Sequence, residues 1–235
     1  MFVFPHGMHV DKDGNVWVAD ADGKDGKGHQ VVKFSRDGKV LLSLGKAGIA
    51  GDGPDTFNRP SGVTSGPNGE IYVADGHGGE SNARIVKFSK DGKFIKAWGK
   101  KGSAPGEFNV PHAIATDSKG RVFVGDRENK RVQIFDAEGN FIDAWKQFGR
   151  PSGVYIDRND LLYVADNQSE AKSNPGFKRG ICIGSVNDGK ITALLPGLGI
   201  DPATQSVGEA VAADGKGTIY WAETNGMIIR KFVGK

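Results

Sequence analysis

The chain has 235 residues, 31 Lys plus Arg against 28 Asp plus Glu, 36 glycines and one cysteine. Charge is nearly balanced and the signs are interspersed with no basic block of five or more, which argues against nucleic acid as a partner; the lone Cys182 excludes an intrachain disulfide and a thiolate cluster. The longest apolar runs, such as Leu194-Leu195 and Met227-Ile228-Ile229, fall far short of the ~20 residues of a membrane-spanning helix, and so much glycine without a collagen period means many tight turns.

The opening Met1-Phe2-Val3-Phe4-Pro5 lacks a charged leader and a long apolar run, so no signal peptide is expected in the chain as it stands and its localisation is left open. Pro5-His6-Gly7-Met8 then begins a segment that ends on Val16-Trp17-Val18-Ala19-Asp20, two short apolar runs about an Asp13-Gly14-Asn15 turn, which predicts a hairpin. Val31-Val32-Lys33-Phe34 adds a third strand and Asp37-Gly38 a further turn. The pattern returns from Pro60 to Asp75 about Asn68-Gly69-Glu70, followed by Asp91-Gly92 and a fourth run, Phe94-Ile95-Lys96-Ala97-Trp98. It returns from Pro111 to Asp126 about Lys119-Gly120-Arg121, with Arg131 to Phe135 and Glu138-Gly139 after it. A fourth copy runs from Pro151 to Asp166 about Asn159-Asp160, with Asp188-Gly189 beyond, and a fifth from Gly208 to Glu223 about Lys216-Gly217-Thr218. First residue and closing acid are 15 positions apart in all five. Four antiparallel strands per repeat, with no amphipathic helix between them, predict an all-β propeller.

Phe57-Asn58-Arg59-Pro60 and Phe108-Asn109-Val110-Pro111 entering blades, and Trp98-Gly99 leaving one, resemble the NHL-repeat family of β-propellers. The expected architecture is a single domain, 1–235, with blades near 5–46, 60–101, 111–147, 151–199 and 208–235. Six blades are usual in that family, so the chain is expected to be one short, at its N-terminus. The fifth blade has no outer strand after Phe232, and Phe2 to Phe4 are the candidates to supply one. Either five blades close alone, or an open edge remains that invites self-association.

Equivalent positions of a propeller face the same part of its central channel. The residue after each blade-opening Pro or Gly reads His6, Ser61, His112, Ser152, Glu209. Two imidazoles and a carboxylate without thiolate suit zinc with an open position, with iron or manganese as the alternative. Ser61 and Ser152 are expected to line the channel, and no Gly-x-Ser-x-Gly elbow is present to make a serine nucleophile.

The motifs Phe4-Pro5-His6-Gly7-Met8, His29-Gln30-Val31-Val32-Lys33-Phe34, Ala74-Asp75-Gly76 with Asn82-Ala83-Arg84-Ile85-Val86-Lys87-Phe88, Val110-Pro111-His112 and Asp126-Arg127-Glu128-Asn129-Lys130-Arg131-Val132-Gln133 resemble one NHL group, the peptidyl-α-hydroxyglycine α-amidating lyases, from Phe4 onward. The resemblance implies a catalytic zinc held by three histidines, of which His6 and His112 match two and Glu209 stands for the third. It implies that Arg127 binds a substrate carboxylate, and it puts His77 in the slot of the family's active-site tyrosine. It also implies a structural calcium on the Met8 carbonyl, although Ala210 stands where the family has a second ligand. The acidic turn Asp11-Lys12-Asp13-Gly14-Asn15 lacks the terminal Glu of a calcium loop and is expected to be an ordinary hairpin turn. The function implied is a metal-dependent lyase that splits a small-molecule or peptide carbinolamide to amide and glyoxylate. A metal-dependent hydrolase of esters, lactones or phosphotriesters and a non-catalytic protein-binding scaffold are the alternatives.

Overall fold

The computed structural model describes residues 1–197, 208–224 and 227–233; the tips of the expected fourth and fifth blades at 198–199, 225–226 and 234–235 lie outside the described residues. Its first sheet is β1 (Pro5–Val10), β2 (Val16–Lys24), β3 (Lys27–Phe34) and β4 (Val40–Leu44), and its second is β5 (Pro60–Ser65), β6 (Ile71–Asp75), β7 (Arg84–Phe88) and β8 (Phe94–Trp98). The third is β9 (Pro111–Thr116), β10 (Val122–Asp126), β11 (Arg131–Phe135) and β12 (Phe141–Trp145), and the fourth is β13 (Pro151–Ile156), β14 (Leu161–Asp166), β15 (Gly180–Ser185) and β16 (Ile191–Pro196). The fifth holds three described strands, β17 (Gly208–Ala213), β18 (Thr218–Glu223) and β19 (Ile228–Val233). Every sheet is an antiparallel meander, and the inner strands β1, β5, β9, β13 and β17 pack in that order, which is the five-blade propeller that the repeat predicts.

Four of the five inner hairpin turns share one device, the second blade having Gly66 in its place. Asp11, Asp117, Asp157 and Asp214 each accept hydrogen bonds from the backbone amides two and four residues on, the side-chain-to-backbone turn that short acids favour. The acidic run at Asp11 is therefore a hairpin turn, tied further by Lys33 at 2.9 Å.

Apolar packing lies between blades. Trp17, Val31 and Leu44 meet Phe57, Val63 and Val73; Tyr72 and Ile85 meet Phe108 and Val122; Phe123 and Trp145 meet Phe148 and Leu162; Tyr163 and Ile181 meet Val211 and Trp221. Each such side chain contributes roughly 1.5–3 kcal/mol on burial. Among the described residues these clusters fill four junctions between five blades, and none joins the fifth blade to the first. Burial agrees: β6 and β10 are buried at every residue, as strands covered on both faces must be, whereas β1, β17 and β18 alternate. Met8 and Val10 on one side, and Tyr220 and Ile229 on the other, are exposed across this open position.

Phe2 to Phe4 do not supply an outer strand to the fifth blade. The Val3 and Phe4 amides donate to the buried Asp20 carboxylate, Ala21 N–H donates to Phe4 O, and Phe2 packs on Phe34, all within the first blade. The cause is general to the fold. Asp75 accepts from Asn58 N–H at 2.9 Å, Asp126 from Asn109 N–H at 2.7 Å and Asp166 from Arg150 N–H at 2.8 Å. In the first four blades the closing acid thus pins the chain that enters its own blade, and Asp20 claims Phe2 to Phe4 for the first. Arg84, Arg131 and Arg230 neutralise Asp75, Asp126 and Glu223 in turn.

Candidate metal centre

The row at the channel is aimed by a backbone irregularity. Pro60 pairs with Asp75 and Gly62 with Ala74, which leaves Ser61 without a partner on β6; His112, Ser152 and Glu209 are skipped in the same way, and His6-Gly7 stand opposite Ala19 alone. A bulge re-aims the side chain it carries, and here it turns the first residue after each blade-opening Pro or Gly toward the axis. Gly7 allows the close approach this needs, because a Cβ there would sit 2.4 Å from Ser61 O.

The two histidines of the row are held alike. His6 Nδ1 lies 2.7 Å from Ser61 O, and His112 Nδ1 lies 2.7 Å from Ser152 O. A carbonyl only accepts, so Nδ1 carries the proton and Nε2 keeps its lone pair, the second-shell arrangement that presents an imidazole to a metal. Ser61 and Ser152 are among the residues around the cavity, and their contact with the histidines is through the backbone carbonyl; the Ser61 hydroxyl is spent on Ala74 O and Pro111 O, and that of Ser152 on Asn167.

His77, on the loop between β6 and β7, comes into the same cluster. Its ring centroid is 4.2 Å from that of His6 and 5.0 Å from that of His112, which are themselves 4.6 Å apart. One donor atom from each of the three lies within 4.8 Å of the others. Glu209 stands off this trio: its Oε1 is 3.3 Å from His112 Nε2 and 3.6 Å from Arg127 Nη1. With the proton of His112 committed to Ser152, Nε2 and Oε1 face each other as two acceptors. His112 Nε2 and His77 Nδ1 are buried without a hydrogen-bond partner. Orphaned lone pairs converging from neutral rings fit a divalent cation of the zinc, iron or manganese kind.

Arg127 is half-buried, with Glu128 at 3.5 Å on one side and Glu209 at 3.6 Å on the other; its buried Nε has no well-formed hydrogen-bond partner. Arg150 takes up Glu128 in a short ion pair, so Arg127 keeps N–H groups to spare. The row lines a cavity of about 1180 Å³ that runs out past Met8 and Ile229 at the open position, while His77 and Arg127 lie outside its walls.

Burial pushes His6 down to about 4, helped by His112, and His77 down to about 3, helped by His6. His9, three residues along β1 and bonded to Ser65 Oγ at 2.8 Å, is pushed down to about 4 by burial. A histidine whose folded pKa lies below its unfolded 6.5 contributes stability above pH 6.5, and this is lost as pH falls toward the folded value. The melting temperature of the metal-free protein is therefore expected to fall between pH 6.5 and 4, with a shallower fall in His9→Asn; a flat profile would contradict neutral buried rings.

The bulge escaped sequence reasoning, its only trace the recurring Pro-x-Gly, Pro-x-Ala or Gly-x-Ala; His77 is named through the resemblance, but as a counterpart of the tyrosine and not as a neighbour of the two histidines. Cys182 is half-buried, its thiol pushed up to about 11 by burial.

Residues 57–88 and 108–135 match the NHL repeat model. The chain is 32% identical over 246 residues to NHL repeat-containing protein 3 of Mus musculus, covering 97% of this chain and 66% of that protein. It is 40% identical over 124 residues to peptidyl-alpha-hydroxyglycine alpha-amidating lyase 1 of Drosophila melanogaster, covering 48% of this chain and 21% of that protein. The chain thus spans about two thirds or less of the length of these relatives. A streptogramin B lyase structure superposes with a TM-score of 0.61 at 16% identity, over 97% of this chain and 68% of that one, a likeness of fold alone. The chain is an NHL-repeat β-propeller, homologous to the peptidyl-α-hydroxyglycine α-amidating lyases and to NHL repeat-containing protein 3.

Proposed function

We propose that this propeller is a metal-dependent lyase that cleaves the C–N bond of a peptidyl-α-hydroxyglycine or a related carbinolamide. The observation that carries this reading is the convergence of His6 and His112, each with Nδ1 tied to the next inner strand's carbonyl and Nε2 presented to the axis. His6 and His112 supply two imidazole donors, and His77 and Glu209 beside them are the two candidates for the third. When bound, zinc, or iron or manganese in its place, supplies Lewis-acid polarisation of a substrate oxygen.

The chain's own groups do the rest. Arg127, whose Nε is buried without a partner, holds the substrate carboxylate, and a guanidinium does so bidentately. Phe4, whose ring lies 5.8 Å from His6 and 5.7 Å from His77, excludes water on that side. Calcium is not part of the reading: Met8 is 72% exposed beside the open position, and Ala210 offers no carboxylate.

A second reading, metal-dependent hydrolysis of esters, lactones or phosphotriesters, is favoured by the width of the cavity and by a carboxylate, Glu209, beside His112. Elemental analysis of the purified protein, with turnover of an α-hydroxyglycine amide and of an ester and phosphotriester panel before and after chelation, tests both. About one metal per chain with chelator-sensitive C–N cleavage is the expected result. Preference for the ester panel would move the assignment to hydrolysis, and no metal with no turnover would leave a protein-binding scaffold.

A further inference from the structure

We infer that His77 completes the metal set with His6 and His112, and that Glu209 lies outside it. The inference rests on the reading that a divalent metal binds in this channel, and it assigns the third ligand to the loop between β6 and β7 instead of to the fifth blade.

Three observations carry it. The first is distance: donors of His6, His77 and His112 lie mutually within 4.8 Å, a convergence that does not include Glu209, whose Oε1 stands between His112 Nε2 at 3.3 Å and Arg127 Nη1 at 3.6 Å. The second is that the His77 loop is built to hold its place. Gly76 N–H donates to Arg59 O at 3.0 Å, Gly78 N–H to Ser81 Oγ at 3.1 Å, and Arg59 Nη1 to Gly78 O at 3.3 Å. A Cβ on Gly76 would lie 2.0 Å from Asn82 O, so the chain passes there only as glycine. Inside this frame His77 Nδ1 is buried and has no partner.

The third is rigidity. A metal site is as rigid as the elements that bear it. His6, His77 and His112 belong to the first three blades, which are joined by two apolar clusters, Trp17 to Phe88 and Tyr72 to Phe135. Glu209 sits on β17 in the fifth blade, which like the first is packed on one face, and two further junctions separate it from the blade that bears His112. Three neutral imidazoles also leave the ion its full double charge and an open fourth position, the donor set of catalytic zinc, whereas a carboxylate in the set would halve that charge.

The chain has five histidines, so zinc titration of protein labelled at the imidazoles reads the whole set at once. The resonances of His6, His77 and His112 are expected to shift with one equivalent of zinc, and those of His9 and His29 to stay. If His6 and His112 shift and His77 does not, the inference is overturned while the metal reading stands. If none shifts, the metal reading itself fails.

Zinc affinity of variants gives a second readout, independent of turnover. His77→Ala is expected to weaken zinc binding by at least the ~100-fold that loss of a mere outer partner can cost, whereas Glu209→Gln keeps it within about threefold. The reverse pattern would restore Glu209 as the third ligand. The resonance titration uses the unaltered chain, so a misfolded variant cannot mask the answer.

Discussion

Replacing His112 by alanine is expected to empty the channel of metal and to lower turnover by on the order of 10³-fold or more, the several kcal/mol of Lewis-acid stabilisation converted at 1.36 kcal/mol per factor of ten. The effect should be larger than that of any other single change at the site, because His112 has no substitute: it is 2% exposed, its Nδ1 is fixed to Ser152 O, and its ring lies within 5.0 Å of both other imidazoles. The cost to folding is smaller, about 1 kcal/mol for the lost hydrogen bond plus the space the ring vacates. His112→Gln, which keeps most of that volume, separates the two effects: stability should recover and metal should not. Full metal content and unchanged kcat in His112→Ala would remove this residue from the site and with it the proposed chemistry.

Legibility differed by residue. The five-fold recurrence from Pro or Gly to the closing acid was plain in the sequence because a blade is a local unit, two hairpins whose turns are written in Asp-Gly and Asn-Gly pairs. The row containing His6 and His112 was readable for the same reason: repeat symmetry places equivalent residues on one ring. Three things were not readable, and each is non-local. His77 reaches the trio through the path of a loop, which depends on Gly76 passing Asn82 O. The carbonyls of Ser61 and Ser152 act through backbone placement that any residue type could provide. Phe2 to Phe4 looked like a spare strand because they are apolar and precede a blade, but the decisive term was the buried charge of Asp20, which needs N–H donors more than the fifth blade needs an edge. The open position between blades was foreseen only as one of two outcomes. It became visible in the alternation of burial along β1, β17 and β18, where a closed ring would bury both faces.

Asp126→Ala is expected to be the most destabilising single substitution away from the channel. Its carboxylate is fully buried and accepts from Asn109 N–H at 2.7 Å, Asn129 Nδ2 at 2.8 Å, Arg131 Nε at 2.8 Å and Gln133 Nε2 at 3.1 Å. Burial pushes this carboxyl upward, so the ion is costly to bury and is retained because four donors converge on it. Removing it strands Arg131, itself 6% exposed, and breaking one partner from a buried pair costs about 3–5 kcal/mol. For a domain of this size that corresponds to a fall in melting temperature of roughly 6–20 °C. Arg131 has other acceptors, Ser103 O, Ala104 O and Glu107 O, which should keep the loss toward the lower end. The doubly substituted Asp126→Ala/Arg131→Met chain should then be more stable than the single variant, since no buried charge is left without its partner. Calorimetric melting of the three chains reads this directly, and a fall of under 2 °C in Asp126→Ala would show that the closing acids only mark the repeat. The same substitution frees Asn109, three residues before His112, so zinc affinity should fall along with stability. The acid that closes a blade then also sets where its histidine stands, because the chain it pins is the one that carries the bulge into the channel.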